Sequence, residues 1–354
     1  MRIAILGAGV IGALTAYELS RDGRHSLTLL EAASEPAPAS SGAALGVMMG
    51  VISHKSKGRP WRLRRDSLER YETLIPELEQ LTGEQILFNR QGLVKPCYEA
   101  DAAKRWSGLI ERRRIQGYPL DWMGAEELRV RHPQVGGNPV GAVVSPRDRQ
   151  VDPVALTRAL VQAAIARGVT VRYSCPVTKL QPRPDGVVVN GEVYDRVVIC
   201  AGLGSEALSA QLGEPLPMHP VLGQALELHC PQPLGSEPEP VFTAEDIHLV
   251  PLGSGRYWLG ATLELPEGPV SETERRERLV ALQQRAFEIW PGLAVATVVR
   301  RWQGDRPRPV GRPAPVIERL SVDPRIVRAT AHYRNGVLLA PGTAMAVREL
   351  LPEA

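Results

Sequence analysis

The chain has 354 residues, of which 44% are hydrophobic and 23% are charged, so it can bury a sizeable core and is not a disordered chain. Its length exceeds what one ordinary domain needs and favours two domains. Its formal net charge of +3 is too small a basic excess to indicate nucleic acid as a partner, and we expect none.

The start of the chain predicts one complete strand–helix–strand unit. The run RIAIL at 2–6 has the continuous apolar character of a buried parallel strand, and glycines follow at 7, 9 and 12. Apolar residues then recur at helical spacing from 10 to 21. The run SLTLLE at 26–31 is predicted to be the second strand, reached by a right-handed crossover.

Beyond this unit, helices and strands are both predicted. The helices are expected at 66–82, 153–167, 271–290 and within the tail 326–351. The strands are expected as a pair within 86–97 turning at Gln91-Gly92, a strand at 169–173, a hairpin within 187–202 turning at Asn190-Gly191, and antiparallel strands between 218 and 304. The strand-rich later part of the chain therefore predicts a second domain inserted into the first.

The segment compositions predict a soluble cytoplasmic protein. The N-terminal apolar run is interrupted at once by glycines, unlike a signal peptide, and no stretch reaches the roughly 18 apolar residues of a membrane span. The four cysteines, at 97, 175, 200 and 230, are too widely separated to indicate a disulfide framework or a thiolate metal site. We therefore expect reduced thiols and no metal.

The spacing Gly7-x-Gly9-x-x-Gly12, between a strand and a helix, is typical of a dinucleotide-binding loop. It permits a tight turn and lets a pyrophosphate approach the N–H groups of the helix N-terminus. Glu31 ends the second strand, 19 residues after Gly12, where its carboxylate can accept hydrogen bonds from a ribose diol. The alternative interpretation is a tight turn that binds nothing.

A stretch of small residues at 40–46 favours FAD over NAD, which the glycine pattern alone does not separate. Ser, Gly and Ala at these positions would let the chain pass along the pyrophosphate towards a flavin ring. A flexible surface loop is the alternative for this stretch.

Five segments together resemble the D-amino-acid oxidase family of flavoproteins, and most of all its glycine oxidase branch. They are GAGVIG at 7–12 with Glu31, SSGAALG at 40–46, VICAG at 198–202, RRWQGDRP at 300–307 and HYRNGVLLAPGT at 332–343. The resemblance spans nearly the whole chain, and the last segment is the most specific. It implies an α/β fold with a discontinuous Rossmann-like FAD-binding domain (1–84, 145–217 and 305–354) and an interleaved antiparallel-sheet substrate domain (85–144 and 218–304).

The resemblance also implies which residues contact FAD, bound non-covalently. Val177 would lie by the adenine, Gly202 would belong to a second nucleotide turn, and 334–338 would wrap the isoalloxazine ring. A helix would begin after Ala340-Pro341 and direct the N–H groups of 342–344 at the pyrimidine edge of the ring. The expected cofactor-binding residues are Gly7, Gly9, Val10, Ile11, Gly12, Glu31, Ala32, Ser40, Ser41, Gly42, Ala43, Ala44, Gly46, Val177, Ala201, Gly202, Arg334, Asn335, Gly336, Val337 and Leu338.

Three residues are expected to bind the substrate. Arg306 matches the family's substrate-carboxylate arginine, because a guanidinium can hold a carboxylate through two parallel hydrogen bonds, and Arg308 is its nearest competitor. His248 stands where glycine oxidases have a tyrosine, so the substrate is not narrowed to glycine, and a structural role in its strand is the alternative. Arg334 completes the set.

The resemblance implies that FAD does the chemistry, and no side chain is expected to be catalytic. Hydride transfer from the substrate carbon to flavin N5 would give an imino acid, which water hydrolyses to a keto acid and ammonia or an amine. We therefore predict oxidative deamination of a small amino acid or amine, such as glycine, sarcosine or a small D-amino acid, with hydrogen peroxide formed when oxygen is the acceptor.

Two alternatives stay open at this point. One is a related flavoprotein dehydrogenase that passes electrons to a quinone or a carrier protein, or one that acts on a bulkier amine. The other is a dinucleotide-binding protein without amine chemistry. The expected partners are the substrate and the electron acceptor, and the sequence is compatible with a homo-oligomer.

Overall fold

The computed structural model describes residues 1–265 and 271–351; two short pieces of the predicted domains, 266–270 and 352–354, lie outside them. The strands of the described part are β1 Arg2–Leu6, β2 Ser26–Leu30, β3 Val47–Met48, β4 Phe88–Asn89, β5 Leu93–Cys97, β6 Asp121–Gly124, β7 Gly141–Ser145, β8 Arg149–Val151, β9 Thr170–Arg172, β10 Leu180–Arg183, β11 Gly186–Val189, β12 Glu192–Tyr194, β13 Arg196–Ile199, β14 Met218–His229, β15 Val241–Ala244, β16 Ile247–Gly253, β17 Arg256–Gly260, β18 Thr297–Pro309, β19 Val316–Arg319 and β20 Ile326–Thr330.

The α-helices of the same residues are α1 Val10–Ser20, α2 Ser40–Ala43, α3 Gly58–Thr82, α4 Ala102–Ile115, α5 Ala125–Arg131, α6 Pro153–Ala166, α7 Ser205–Gln211, α8 Glu272–Ile289 and α9 Gly336–Leu350. The helices predicted at 66–82, 153–167 and 271–290 are confirmed as α3, α6 and α8, with α3 beginning earlier, at Gly58. In the described part of the chain, none of these helices combines the length and the apolar character that a membrane crossing requires.

A six-stranded sheet, in the order β19-β20-β13-β1-β2-β9, has the first strand of the chain near its centre. β1 pairs in parallel with β2 and with β13, which confirms the predicted strand–helix–strand unit. Ile3 and Ile5 pack towards α1, α6 and α9, whereas Ala4 and Leu6 face β10–β12 and α7. Both faces of β1 are thus covered, which is why its sequence is continuously apolar instead of alternating.

Three short strands, β10, β11 and β12, form an antiparallel sheet over one face of the six-stranded sheet. The predicted hairpin turn at Asn190-Gly191 is confirmed, because Val189 pairs with Glu192 across it. Both turn residues have positive φ, 49° and 93°, which asparagine and glycine tolerate best.

An eight-stranded sheet, in the order β18-β14-β17-β16-β15-β5-β7-β6, forms the second layer of the molecule. β18 pairs with β14 along nearly its whole length, from Thr297 opposite His229 to Pro309 opposite Met218. It therefore runs through the predicted domain boundary between 304 and 305, and residues 305–309 belong to this sheet. The domain limits otherwise remain a prediction.

The strand pair predicted within 86–97 is wrong. β4 pairs with β8 in a small three-stranded sheet, whereas β5 pairs with β7 and β15 in the eight-stranded sheet. Gly92 has φ +81° and turns the chain from one sheet into the other. Two extended runs beside a glycine turn indicate strands, but they do not specify which strands they pair with.

Candidate active site

A cavity of about 750 Å³ lies between the six-stranded and eight-stranded sheets. The carboxyl ends of β1, β2, β13 and β20 contribute to its lining, together with the stretch 38–47 and residues 303–307 of β18. The predicted residues on the lining are Gly7, Gly9, Val10, Ile11, Glu31, Ala32, Ser40, Ser41, Ala43, Ala44, Gly46, Val177, Ala201, Gly202, His248, Arg306, Arg334, Gly336, Val337 and Leu338. The predicted residues Gly12, Gly42 and Asn335 are not on it.

The glycine loop after β1 lines one end of the cavity, which is called the nucleotide end because the sequence predicts dinucleotide binding there. Gly9 precedes the first residue of α1, and both Gly9 and Val10 line the cavity, so the helix N-terminus faces it. Gly12 faces the turn after β1 and not the cavity. A Cβ at Gly12 would lie 1.9 Å from the carbonyl oxygen of Gly7. Its role is to let α1 pack against the turn, which explains why it is absent from the lining.

Glu31 lies at the end of the second strand and is only 7% exposed. Its Oε2 accepts a hydrogen bond from the N–H of Ala8 at 2.6 Å, and its Oε1 accepts one from the N–H of Ala33 at 2.9 Å. The carboxylate therefore ties the glycine loop to the chain that follows β2. An ionised carboxylate has further lone pairs, so it can still accept hydrogen bonds from a ribose diol, and that contact stays a prediction.

The stretch 40–46 forms one wall of the cavity and is held in place by hydrogen bonds. Ser41 Oγ accepts a hydrogen bond from the N–H of Val10 at 3.0 Å, and Ser40 Oγ donates one to the carbonyl oxygen of Asp305 at 2.5 Å. Gly42 is turned away from the cavity, and a Cβ there would lie 2.2 Å from the carbonyl oxygen of Ala37. The two serines therefore join α1 to β18 across the cavity, which a loose surface loop would not do.

The C-terminal helix α9 lines the cavity with its first turn, at 336–338, and not with the predicted residues 342–344. α9 begins at Gly336, and Pro341 lies inside it. Gly336, Val337 and Leu338 form its first turn and line the cavity, whereas 342–344 are buried away from the lining. The expectation that the N–H groups of 342–344 point into the cavity is therefore wrong, and it is the N-terminus of α9, at Gly336, that lines the cavity.

Two side chains of α3 explain how α9 continues through a proline. Pro341 has no N–H to donate to the carbonyl of Val337, four residues earlier. The hydroxyl of Tyr71 donates to that carbonyl instead, at 2.6 Å, and the N–H of Gly342 donates to Ser67 Oγ at 2.9 Å. Because these partners come from a distant helix, the tail sequence does not show that the helix runs through the proline, and the start after Ala340-Pro341 that the resemblance implied is replaced by a start at Gly336.

Arg306 supplies a positive charge at the end of the cavity opposite the glycine loop. Its Nη1 donates to the carbonyl oxygens of Leu222, at 3.2 Å, and Thr262, at 3.1 Å. Burial, followed by the charge of Arg334, lowers its pKa, and among residues 1–265 and 271–351 it makes no ion pair with a carboxylate. Its remaining N–H groups can therefore hold a ligand carboxylate. Arg308 is exposed and does not line the cavity, which favours Arg306 over its competitor.

His248 faces the same end of the cavity from β16. Burial, with the charge of Arg334, lowers its pKa to about 4, so the imidazole is neutral near pH 7. Its Nδ1 is buried and makes no hydrogen bond within the described part of the chain. A neutral imidazole with a free ring nitrogen can donate to or accept from a ligand, according to its tautomer.

Arg334 contributes a second guanidinium and is held by a carboxylate. Its Nη2 donates to Asp246 Oδ1 at 2.8 Å, and both side chains line the cavity. His332 is 3% exposed and also contributes to the lining; its Nε2 is 2.8 Å from Thr343 Oγ1, and burial lowers its pKa to about 3. The predicted substrate residues Arg306, His248 and Arg334 thus come together at one end of the cavity.

The residues present fit FAD. One end of the cavity offers the glycine loop and Glu31, and the N-termini of α1 and α9 both face the interior, where they favour the negative charge of phosphates or of a reduced ring. Gly9 and Gly336 present backbone to the cavity without a side chain. A volume of about 750 Å³ is within the usual range of cofactor sites.

Sequence reasoning missed several residues of this lining, among them Asp246 and Gly223. Asp246 is in the turn just before β16, and its only signal in the sequence was its position two residues ahead of His248. Gly223 lies inside the long strand β14 and lines the cavity. A glycine within a strand often marks a close approach of other atoms, which was the available signal.

Comparison with known proteins gives one family. The family model described as FAD dependent oxidoreductase (DAO) matches residues 2–350. Glycine oxidase from Geobacillus kaustophilus is 30% identical over 99% of this chain and 92% of its own length, and glycine oxidase from Bacillus licheniformis is 26% identical over 98% and 92%. The crystal structure of glycine oxidase from Geobacillus kaustophilus superimposes with a TM-score of 0.89 at 27% identity, covering 100% of this chain and 96% of that one.

Proposed function

The chain belongs to the DAO family of FAD-dependent oxidoreductases, and on that premise we propose that it oxidises a small amino acid at the carbon next to the nitrogen. The substrates we propose are glycine, sarcosine and small D-amino acids. The names of the related glycine oxidases support this choice, as does the pairing of a dinucleotide loop with a guanidinium in one cavity.

The proposal rests mainly on the burial of Arg306 and on its lack of a carboxylate partner among the described residues. Its guanidinium is largely buried, lines the cavity and is held on one side by two backbone carbonyls. A buried cation without a carboxylate partner is costly, and a substrate carboxylate would supply the missing charge and two hydrogen bonds. This arrangement favours an amino acid over an uncharged amine.

The proposed reaction removes a hydride from the substrate carbon and releases a proton from its nitrogen to solvent, which leaves an imino acid. The chemistry that bound FAD would supply is acceptance of that hydride, at N5. Arg306 would fix the carboxylate and so limit how the carbon can be presented, and neutral His248 would contact the substrate without adding charge. The N-terminus of α9 would stabilise negative charge at the ring. Water then hydrolyses the imino acid to a keto acid and ammonia or an amine.

We further propose that the acceptor of the reduced enzyme is oxygen, which gives hydrogen peroxide, and that FAD is bound without a covalent link. Neither proposal depends on the carbon chemistry above. A cytoplasmic location and a homo-oligomer likewise remain predictions.

The test follows the colour of the flavin. The purified holoenzyme should be yellow, and glycine, sarcosine, D-alanine or D-proline added without oxygen should bleach it. Air should then restore the colour with one hydrogen peroxide per imino acid formed. Acid precipitation should leave FAD in the supernatant.

Each deviation has a distinct meaning. A yellow protein that no amino acid bleaches contradicts the proposed function and favours dinucleotide binding without amine chemistry. Bleaching by an amino acid without recolouring in air retains the carbon chemistry and transfers the acceptor role to a quinone or carrier protein. Yellow protein after acid precipitation contradicts the non-covalent link alone.

A further inference from the structure

The ion pair between Asp246 and Arg334 lies on the lining of the cavity, at the end where Arg306 and His248 are also found. Asp246 is in the turn between β15 and β16, and Arg334 is in the short 3₁₀ turn before α9. The Asp246 side chain is 64% exposed and that of Arg334 35%, so the pair lies at the outer part of this end of the cavity.

The charges of this end can be counted from the residues on the lining. Arg306 and Arg334 each bring one positive charge, Asp246 brings one negative charge, and His248 is neutral near pH 7. Asp305 is also on the lining, but it is exposed and is not among the charges that most shift the pKa of Arg306 or His248. Among Arg306, Arg334, Asp246 and His248 the balance is one positive charge, which matches a substrate with one carboxylate.

The ionisation of Asp246 is consistent with this charge count. Burial alone would raise its pKa, but the hydrogen bond and the charge of Arg334 lower it below its ordinary value, so it is ionised near pH 7. Arg334 is also close enough to lower the pKa of Arg306. The two guanidinium groups therefore act on the same small volume, and only one of them is engaged by a protein carboxylate among the described residues.

We propose that Asp246 is a specificity-determining residue, which neutralises Arg334 and so restricts the site to amino acids with a single carboxylate. A substrate with a second acidic group, on its side chain or on its nitrogen substituent, would bring an uncompensated negative charge beside Asp246. The proposal rests on the proposed function and assigns to it a substrate class: monocarboxylic amino acids, with dicarboxylic ones disfavoured.

The test is Asp246→Asn, which keeps the shape of the side chain and removes its charge. Freed from its partner, Arg334 can hold a second carboxylate. Because the pair is partly exposed, we expect kcat/KM for iminodiacetate and D-aspartate, relative to sarcosine and D-alanine, to rise about tenfold, mostly through KM. Binding without turnover gives the second readout: a non-reactive dicarboxylate such as malonate, titrated by the flavin absorbance change, should bind more tightly, whereas acetate should not.

Two variants separate specificity from folding. Glu245→Gln removes the same charge at the neighbouring position, but Glu245 pairs with Arg285 at 2.6 Å and does not line the cavity, so the substrate ratio should not change. Asp246→Asn combined with Arg334→Gln should lose the gain for dicarboxylates, because the gain acts through Arg334.

The outcomes are distinguishable. A wild-type enzyme that oxidises sarcosine and D-alanine, with an Asp246→Asn ratio equal to that of the wild type, overturns the inference and leaves the proposed function intact. A wild-type enzyme that prefers iminodiacetate or D-aspartate also overturns it. If no amino acid reduces the wild-type flavin, the proposed function fails and the inference fails with it.

Discussion

Arg306 lies across Gly223 of the neighbouring strand, so closely that no side chain can be accommodated beneath it. A Cβ on Gly223 would lie 2.2 Å from Nη2, 2.4 Å from Cζ and 2.5 Å from Nη1 of Arg306. β14 and β18 pair throughout this region, with Val221 opposite Arg306, so neither strand can easily move away. The absence of a side chain at 223 therefore sets the position of the guanidinium.

We predict that Gly223→Ala displaces the Arg306 guanidinium from the carbonyls of Leu222 and Thr262. The KM for monocarboxylic amino acids should rise about tenfold to a hundredfold, because a well-placed charged hydrogen bond contributes about 1.5–3 kcal/mol. Bound FAD should be retained, since Gly223 is in the eight-stranded sheet and not in the nucleotide loop. Steady-state kinetics and the flavin content of the purified variant check both parts.

Gly124→Ala is the matched control, because a Cβ there meets nothing within 4 Å. Combining Gly223→Ala with Arg306→Ala supplies the decisive comparison. The KM of the double variant should be no higher than that of Arg306→Ala alone. Additive increases in KM would show that Gly223 does not act through the guanidinium.

Arg306→Ala should raise the KM for amino acids about a hundredfold or more while leaving FAD bound, because the substrate carboxylate loses a charged, bidentate partner. Arg308→Ala serves as the control: Arg308 is exposed, outside the lining, and lies over the ring of Tyr333 at 5.6 Å. Unchanged turnover in Arg306→Ala, or an equal loss in Arg308→Ala, would contradict the assignment of the anchor.

His248→Tyr should shift the preference between glycine and larger substrates. A phenol occupies more of the cavity than an imidazole, so kcat/KM for D-alanine and D-proline should fall relative to that for glycine, by about tenfold or more for each methylene that no longer fits. The measurement is kcat/KM over this substrate series. An unchanged ratio would assign His248 a structural role in β16.

Glu31→Gln should weaken FAD binding without changing the KM of the amino acid. One of the N–H groups of Ala8 and Ala33 would then face the amide nitrogen of the glutamine, which is a donor, so one backbone hydrogen bond is lost. We expect the dissociation constant of FAD to rise about tenfold. Fluorescence of released FAD on dilution measures it. Glu35→Gln is the control, because Glu35 forms an exposed pair with Arg158 and does not line the cavity.

Two histidines whose pKa values are lowered, His248 on the cavity lining and the buried His332, should make the stability depend on pH. Burial lowers the pKa of His248 to about 4 and that of His332 to about 3, whereas histidine in an unfolded chain titrates near about 6.5. Between these values the unfolded state binds more protons. The free energy of unfolding should therefore fall as the pH decreases from about 6.5 towards 4, by up to about 1.4 kcal/mol per pH unit for each histidine.

Chemical denaturation of the holoenzyme at pH 7, 6 and 5 tests this. His332→Gln should show a shallower decline than the wild type, because glutamine does not titrate. His219→Gln, at an exposed position, should keep the wild-type decline. Identical pH profiles for all three proteins would contradict the contribution of His332.

The nucleotide end of the site was readable from the sequence because its interactions are local. Gly7, Gly9 and Glu31 lie within one strand–helix–strand unit, whose hydrophobic pattern fixes where each element begins. The same holds for the Asn190-Gly191 turn, where two residues decide the conformation. The resemblance to a family then added the distant segments, and its substrate residues all lie on the cavity lining.

The remaining features were decided by contacts between segments far apart in the chain. α9 runs through Pro341 only because Tyr71 and Ser67 of α3 supply its missing hydrogen-bond partners. The strands on either side of Gln91-Gly92 separate into two sheets because their partners lie elsewhere. Local sequence determines which helices and strands form, since their hydrophobic patterns are properties of neighbouring residues. The pairing of strands, the start of a helix that contains a proline and the charge balance around Arg306 depend instead on which surfaces meet once the chain is folded.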